Sequence, residues 1–421
     1  MSLLDTASLI LTPNGYKASK LYSVKPTDAS GDMDVVRATT ATRVNSAGLI
    51  ESVAINVPRL DYPPLGGCPR ILVEPQRKNE LFESQDISSA LWVKSAAAPT
   101  ITTNIALAPD GTTTANGIQS PNADASFKTI SQSIVVTANS TVTASVFVKK
   151  ETSETNFGGL QVIFTGVTTK VFRVIVNAVA GTAVISSDST LTGTTKVEDY
   201  GTYWRISATT TDNGSNIGLT FLYYGTLSTN GTSTGTGIGS VRTVWGFQLE
   251  IAANFTSYIP TTIEGLTRNA DVISKTGISS LIGQTEGTLF VDFNFTQNVN
   301  TSRLIAIGDG TTNNRAFISL NANAIEVFIR NASAIQYSVS SSTILTGRYK
   351  VAVRYKQNDF GFYINGVPIN TSNTGNLPIN LNNFYLASYE LGGTANAIQS
   401  INSAQLYQTA LLDQQCIDLT T

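Results

Sequence analysis

TVTASVFVK, residues 141–149, sets the architecture: a short run of β-branched and aromatic residues bounded by Asn139, Ser140 and Lys150. Such runs suit a pleated, half-buried strand and are too short for an ordinary helix. Three more follow at similar intervals, GLQVIF at 159–164, KVFRVIV at 170–176 and YWRISAT at 203–209, separated by Gly, Asn, Ser and Thr. Turn residues every ten positions or so mark a β-sandwich or jelly roll.

Composition extends this reading to the whole chain. Its 421 residues allow about three domains at ~150 residues each. Only 13% are charged, against roughly 25% in an average globular protein, while 41% are hydrophobic, enough to build cores. The expected fold class is all-β: an extended N-terminal attachment block (1–77), then two sandwich domains (78–271 and 272–421). The net charge is −2 and no basic cluster exceeds a pair, which argues against nucleic-acid binding. No apolar run approaches the ~20 residues that span a bilayer, and MSLLDTASLI lacks the basic region of a signal peptide, so no membrane role is expected. Cys68 and Cys416 stand far apart in unrelated contexts, which predicts free thiols and a reduced, intracellular site of synthesis. Sequons at Asn139, Asn254, Asn331 and Asn370 are what an Asn- and Thr-rich chain produces, and are read as unmodified turns.

In the third block Tyr349, Val351, Val353 and Tyr355 alternate onto one face, and Asn365-Gly366 supplies the two positive-φ positions of a type I′ hairpin. Residues 412–419 read as a closing helical turn. In the first block Asn14-Gly15 and Ser30-Gly31 read as turns. Beyond them, Pro58, Pro63, Pro64, Pro69 and Pro75 forbid a helix or a central strand over 58–75 and imply an extended strap. Arg43, Arg59, Arg70 and Arg77 lie among Glu51, Asp61 and Glu74, types suited to forked ion pairs that could pin it. On these residues alone the strap is either docked or a solvated linker.

The stretch ATRVNSAGLIESVAINVPRLDYPPLGGCPRILVEPQRKN, residues 41–79, resembles the N-terminal block of a family of bacteriophage virion proteins, tail-fibre-like or head-fibre-like. The matching positions are Arg43, Asn45, Glu51, Asn56, Pro58, Arg59, Asp61, Tyr62, Cys68, Pro69, Glu74, Pro75, Gln76, Arg77 and Asn79, with Lys78 where the family has Thr. The resemblance implies a docked collar that attaches the chain to the particle, with Arg43, Asn45, Glu51, Asn56, Arg59, Asp61, Glu74 and Arg77 as its structural residues. The second block resembles the carbohydrate-binding-module-like jelly rolls of phage fibres: Asn79 and Trp92 open it, Trp245 with Gln248-Leu249-Glu250 forms its WGFQLE strand, and Ser257 to Thr261, Arg268 and Asp271 form its exit. The third resembles a concanavalin A- or laminin G-type sandwich through GTLFVDF at 287–293, GRYKVAVRYKQNDFGFYINGVPIN at 347–370 and its closing segment.

Chemistry is marked by absences. With no histidine, Ser-His-Asp and Cys-His systems are excluded and zinc is not expected; neither a metal nor a cofactor is called for. The Gly-rich stretch 231–239 lacks the Lys-Ser/Thr of a phosphate loop. Glu286, Glu326, Asp309, Asp359 and Glu390 are too dispersed for a glucanase carboxylate pair, and no β-helix repeat is present. No enzymatic activity is expected. Sugar contact needs rings for pyranose CH faces, and Trp92, Tyr203, Tyr223 and Tyr224 are the glycan-binding candidates, although core packing explains each of them as well.

The expectation is a fibre-like virion structural protein, made in the host cytoplasm and displaying sandwiches that adhere to a host-surface glycan. It would assemble as a homotrimer through the first block, because a strap that buries little within one subunit must find neighbours. A capsid or tail decoration protein with purely protein contacts is the alternative, and a polysaccharide depolymerase the third. Residues 272–421 are expected to fold when expressed alone.

Overall fold

In the computed structural model, which describes residues 2–96, 98–120, 128–152, 157–227, 239–296, 301–388 and 398–421, the short apolar runs are strands. TVTASVFVK is the strand Thr141–Lys149, and the three other runs lie within Phe157–Thr165, Lys170–Asn177 and Tyr203–Thr211. Glu390 and nearly all of the Gly-rich stretch fall outside the described residues.

The second block is a sandwich of two six-stranded antiparallel sheets. Thr141–Lys149 is central to one sheet, between Tyr203–Thr211 and Val241–Glu250; Gly218–Leu227 is central to the other, between Thr129–Val135 and Phe157–Thr165. The inner faces meet in a core that includes Val142, Val146, Leu160, Phe164, Phe172, Ile206, Phe221 and Phe247. All strands of both sheets come from residues 93–250.

The third block is organised differently from the expectation. Its strands form a second sandwich, but the middle of the sheet is supplied by the first block: Met33–Val36 pairs with Val272–Thr276, Leu9–Lys17 with Gln399–Tyr407, and Lys20–Lys25 joins the two. Arg70–Val73 adds to the other end of Gln399–Tyr407, and Arg59–Asp61 pairs with it. Leu9, Leu11, Leu21, Met33, Val35, Leu60, Ile71 and Val73 share one core with Val291, Phe293, Val351, Val353 and Tyr355. The sheet folds over on itself, and Tyr337 near one edge stacks on Phe360 near the other at 5.4 Å. Residues 1–77 therefore do not form a block apart. The 78–271 sandwich is inserted between two parts of a sandwich whose strands are discontinuous in sequence.

The remainder of the first block turns to the other sandwich. The hairpin Ala41–Val44 with Ile50–Val53 lays Val44 and Ile50 on Ala115, Phe147, Trp245 and Tyr258. The strap is thus docked on both sandwiches, its prolines falling outside the paired strands Arg59–Asp61 and Arg70–Val73.

Local expectations fared unevenly. Asn365 and Gly366 have φ of 46° and 77° and join Asp359–Ile364 to Val367–Ser372 as a type I′ turn requires. Asn14-Gly15 makes no turn: it lies inside Leu9–Lys17, where an irregular register with Lys20–Lys25 absorbs it, and the chain reverses at Ser19. The closing helix is Asp413–Thr420; beneath it Phe290, Ala352, Tyr363, Tyr407 and Cys416 form a second small core, so Glu286–Phe295 is buried on both faces. Both cysteines are free, Cys68 exposed and Cys416 buried.

Candidate functional site

The two signature segments meet in one buried charge cluster. Arg59, with no exposed surface, donates to Glu74 at 2.5 Å and to Asp271; Arg268 donates to the same Glu74 oxygen at 2.6 Å, and Arg37 to Asp271 at 2.9 Å. Ser257 donates to Glu74 through both its N–H and its hydroxyl, the Glu74 N–H donates to Asp271, and the carbonyls of Thr39, Ala54, Val57 and Pro75 accept from Arg37 and Arg268, while Nε of Arg59 and of Arg268 stays buried without a hydrogen bond among the described residues. Burial alone would raise the Glu74 carboxyl, but Arg268 and Arg59 hold it down at about 2. Buried ions are tolerable only when paired and hydrogen-bonded in this way.

Other signature residues also serve the fold. Arg43 donates to Glu51 at 2.7 Å and lies over the Tyr16 ring. Asn45 accepts from the N–H groups of Ala47 and Leu49; Asn56, with φ of 58°, accepts from Arg37 N–H. Asn79 donates to the carbonyls of Phe247 and Ile259 and accepts from Leu81 and Leu249. Arg77 reaches Glu250 only at 3.8 Å. Of the ion pairs expected among these residues, Arg43 with Glu51 and Arg59 with Glu74 form, each through one nitrogen rather than as a fork, and Asp271 and Arg268 from the other signature join the second.

Beside this cluster a cleft of about 210 Å³ opens where the first block meets both sandwiches. Asp61, Tyr62 and Arg70 line it from one side, Glu198, Asp199 and Tyr200 from the strand Gly193–Tyr200, and Thr296 and Ser400 from the third block. Tyr62 and Tyr200 are half-buried and line it, the Tyr200 ring packing edge-on to Phe147 at 5.1 Å. Asp61 accepts from Val44 N–H at 2.8 Å, and burial pushes its carboxyl up to about 6 against the pull of that N–H and of Arg59. Glu198 pairs with Lys196 at 2.9 Å and Asp199 with Lys150 at 2.6 Å. Rings edged by carboxylates, guanidinium groups and hydroxyls can pack the CH face of a pyranose and hydrogen-bond its hydroxyls.

The four glycan-binding candidates are not on this surface. Trp92 is wholly buried against Phe247 and Phe221, its N–H donating to the Glu83 carbonyl. Tyr203 donates to the Leu107 carbonyl from a buried position, Tyr223 packs edge-on to Phe247 in the core, and Tyr224 is covered on the opposite face of its strand with Arg173 over its ring. Trp92, Tyr223 and Tyr224 are enclosed by their own sandwich and Tyr203 in the cluster it shares with Val44 and Ile50 of the first block, so all four are buried in packing. Glu198, Asp199 and Tyr200 were missed because VEDY carries no motif, whereas Tyr62 stood within the quoted signature. Among the described residues no group of three or more His, Cys, Asp or Glu side chains could hold a metal ion, and no helix is long and apolar enough to cross a membrane.

No family model and no curated protein matches the chain. Among solved structures, the chain is similar to the CBM40 of Ruminococcus gnavus IT-sialidase at 18% identity, covering 33% of this chain and 84% of that one with a TM-score of 0.30. It is also similar to the K499G mutant of NanB sialidase from Streptococcus pneumoniae (20% identity, 35% and 26% covered, TM-score 0.31) and to a chain from a study of botulinum neurotoxin type C entry (17%, 36% and 39%, 0.30). The chain thus spans about a quarter of the pneumococcal protein's length. These likenesses reach only a third of the chain at low superposition, and the β-sandwich assignment rests on the strand pairings themselves.

Proposed function

We propose that this chain is a non-enzymatic structural protein of a bacteriophage virion whose joined sandwiches adhere to a host-surface glycan through the cleft between them. The observation that carries the adhesive reading is the pair of half-buried rings, Tyr62 and Tyr200, set among Asp61, Glu198 and Arg70 in a cleft assembled from all three blocks. The virion assignment is supported by the signature at residues 41–79. A non-catalytic role is supported by the absence of histidine and by the cleft acids Glu198 and Asp199 being engaged by lysines. Weak sites suffice where several copies act together, as in the trimer that the resemblance implies.

Binding of the whole chain to host capsule or wall polysaccharide, with and without Tyr62→Ser and Glu198→Gln, tests this. Each substitution should weaken binding about tenfold, the loss of roughly 1.4 kcal/mol expected for one good contact. Unchanged binding in both variants would remove the cleft from the reading. Release of reducing ends that disappears in Asp61→Asn would replace adhesion by hydrolysis.

A further inference from the structure

A further cavity, of about 350 Å³, opens on the inserted sandwich and shares no lining residue with the cleft. The loop after Asn79 contributes Glu83 and Asp86 to it, the edge strand Thr100–Ala106 contributes Thr103 and Asn104, the neighbouring strand Ala115–Gln119 contributes Asn116, and the exit segment contributes Thr261. Among the described residues no lysine or arginine lines it. The Glu83 backbone is fixed, its N–H donating to the Thr262 carbonyl at 2.6 Å and its carbonyl accepting from the Trp92 ring N–H at 3.0 Å. The Glu83 side chain is half-buried, and its carboxylate makes no hydrogen bond or ion pair among the described residues.

Two deeply buried side chains leave polar capacity unfilled at the same place. Asn116, 2% exposed, donates to the Gln85 carbonyl, while its amide oxygen accepts no hydrogen bond among the described residues and is not sealed from solvent. Thr261, 6% exposed, accepts from the Ser84 N–H at 3.2 Å, and its own hydroxyl proton has no acceptor among the described residues. Lys94 lies near Asp86 with its ammonium on the Ser88 and Ser89 carbonyls, which leaves Glu83 as the uncompensated charge. A cavity rich in acceptors and negative charge suits a cation that donates. An ammonium group carries three N–H donors on one charge, a match for two carboxylates and an amide oxygen. A calcium ion would instead need six to eight oxygens at about 2.3–2.6 Å, and no group of three acids is gathered among the described residues. The volume is that of a small-molecule pocket, large enough for a sugar ring.

We propose that this cavity binds a hexosamine with a free amine, its ammonium held by Glu83, Asp86 and the Asn116 amide oxygen and its hydroxyls toward Thr261, Thr103 and Asn104. The site is separate from the cleft; that the amine belongs to a sugar rests on the adhesive reading above. Calorimetric titration of the full chain with a glucosamine tetramer, and with the same tetramer N-acetylated, removes the charge and keeps the sugar. The free amine should bind about tenfold tighter or more. Glu83→Gln should bring it to the level of the acetylated tetramer, and Glu83→Asp should retain part of the difference. Thr103→Lys, at an exposed edge position, sets an ammonium at the rim without touching the core and should abolish the preference as well. Tetralysine should bind more weakly than the glucosamine tetramer, and Tyr62→Ser in the cleft should leave the preference intact. Equal binding of the two tetramers, binding of neither, tighter binding of tetralysine, a preference that survives both Glu83→Gln and Thr103→Lys, or one lost with Tyr62→Ser would overturn the assignment. Loss of polysaccharide binding in Tyr62→Ser with this preference retained leaves the cavity standing, so failure of either site is read separately.

Discussion

At the scale of single residues, the most consequential atoms are those of the Arg59 guanidinium, which neutralises one carboxylate from the strap and one from the exit of the inserted sandwich. Removing one member of a buried cluster leaves the others charged and unpaired, so Arg59→Ala should destabilise the protein by about 3–5 kcal/mol, read from denaturant unfolding. A loss under about 1 kcal/mol would show that water replaces the guanidinium. Two carboxyls should depart in opposite directions from their ordinary values. Folding favours ionised Glu74, held at about 2, so its contribution is complete above about pH 4.5 and is lost as the pH falls toward 2. Folding favours protonated Asp61, raised to about 6, so its contribution is complete below about pH 3.8 and disappears as the pH rises past 6. Carboxyl NMR should give midpoints near those values, and two midpoints near 4 would count against both environments. The residue types of the strap announced ion pairing; the partners of Arg59, one of them 212 positions away, were not legible because sequence distance carries no spatial information.

At the scale of elements, local turn chemistry succeeded where the turn had to be tight and failed where a neighbour overrode it. Asn365-Gly366 turns because a two-residue connection demands positive φ twice; Asn14-Gly15 does not, because the pairs Leu11 with Ser23 and Tyr16 with Leu21 that flank it along the chain carry Leu9–Lys17 through as one strand, with the irregular register between them. Gly246 has a different task. Within Val241–Glu250 it sits at φ of 65° where the register with Thr141–Lys149 shifts, and a Cβ there would stand 3.0 Å from the Phe147 ring. Gly246→Ala should therefore cost about 1–3 kcal/mol, through backbone strain and crowding together. A melting temperature equal to that of the parent protein would refute the strained geometry.

At the scale of the whole molecule, one sandwich is continuous in sequence and the other is not. Residues 78–271 hold all twelve strands of the inserted sandwich and should fold alone with a cooperative transition. Residues 272–421 lack the strands Leu9–Lys17, Lys20–Lys25 and Met33–Val36, whose removal opens the middle of the sheet and exposes its core. That fragment, and the chain without residues 1–77, should lose the β signal or aggregate. Recovery of a cooperatively melting 272–421 fragment would contradict this architecture. The burial of Arg59, Ile71 and Glu74 within the chain also removes the reason for expecting the strap to seek other subunits, so light scattering of the full chain bears on the trimer independently of that fragment.

The amino-acid sequence by itself determined the β class, the positions of individual strands, the type I′ hairpin and the closing helix, because each depends on side-chain periodicity and backbone preference over a few residues. Only the tertiary structure decided that the first block completes the third, that Trp92, Tyr203, Tyr223 and Tyr224 are enclosed, and that Tyr62 and Tyr200 line one cleft. Strand pairing and burial are set by which apolar faces meet, and the pairings here join residues as far apart as Leu9 and Leu406, a choice that local pattern leaves open.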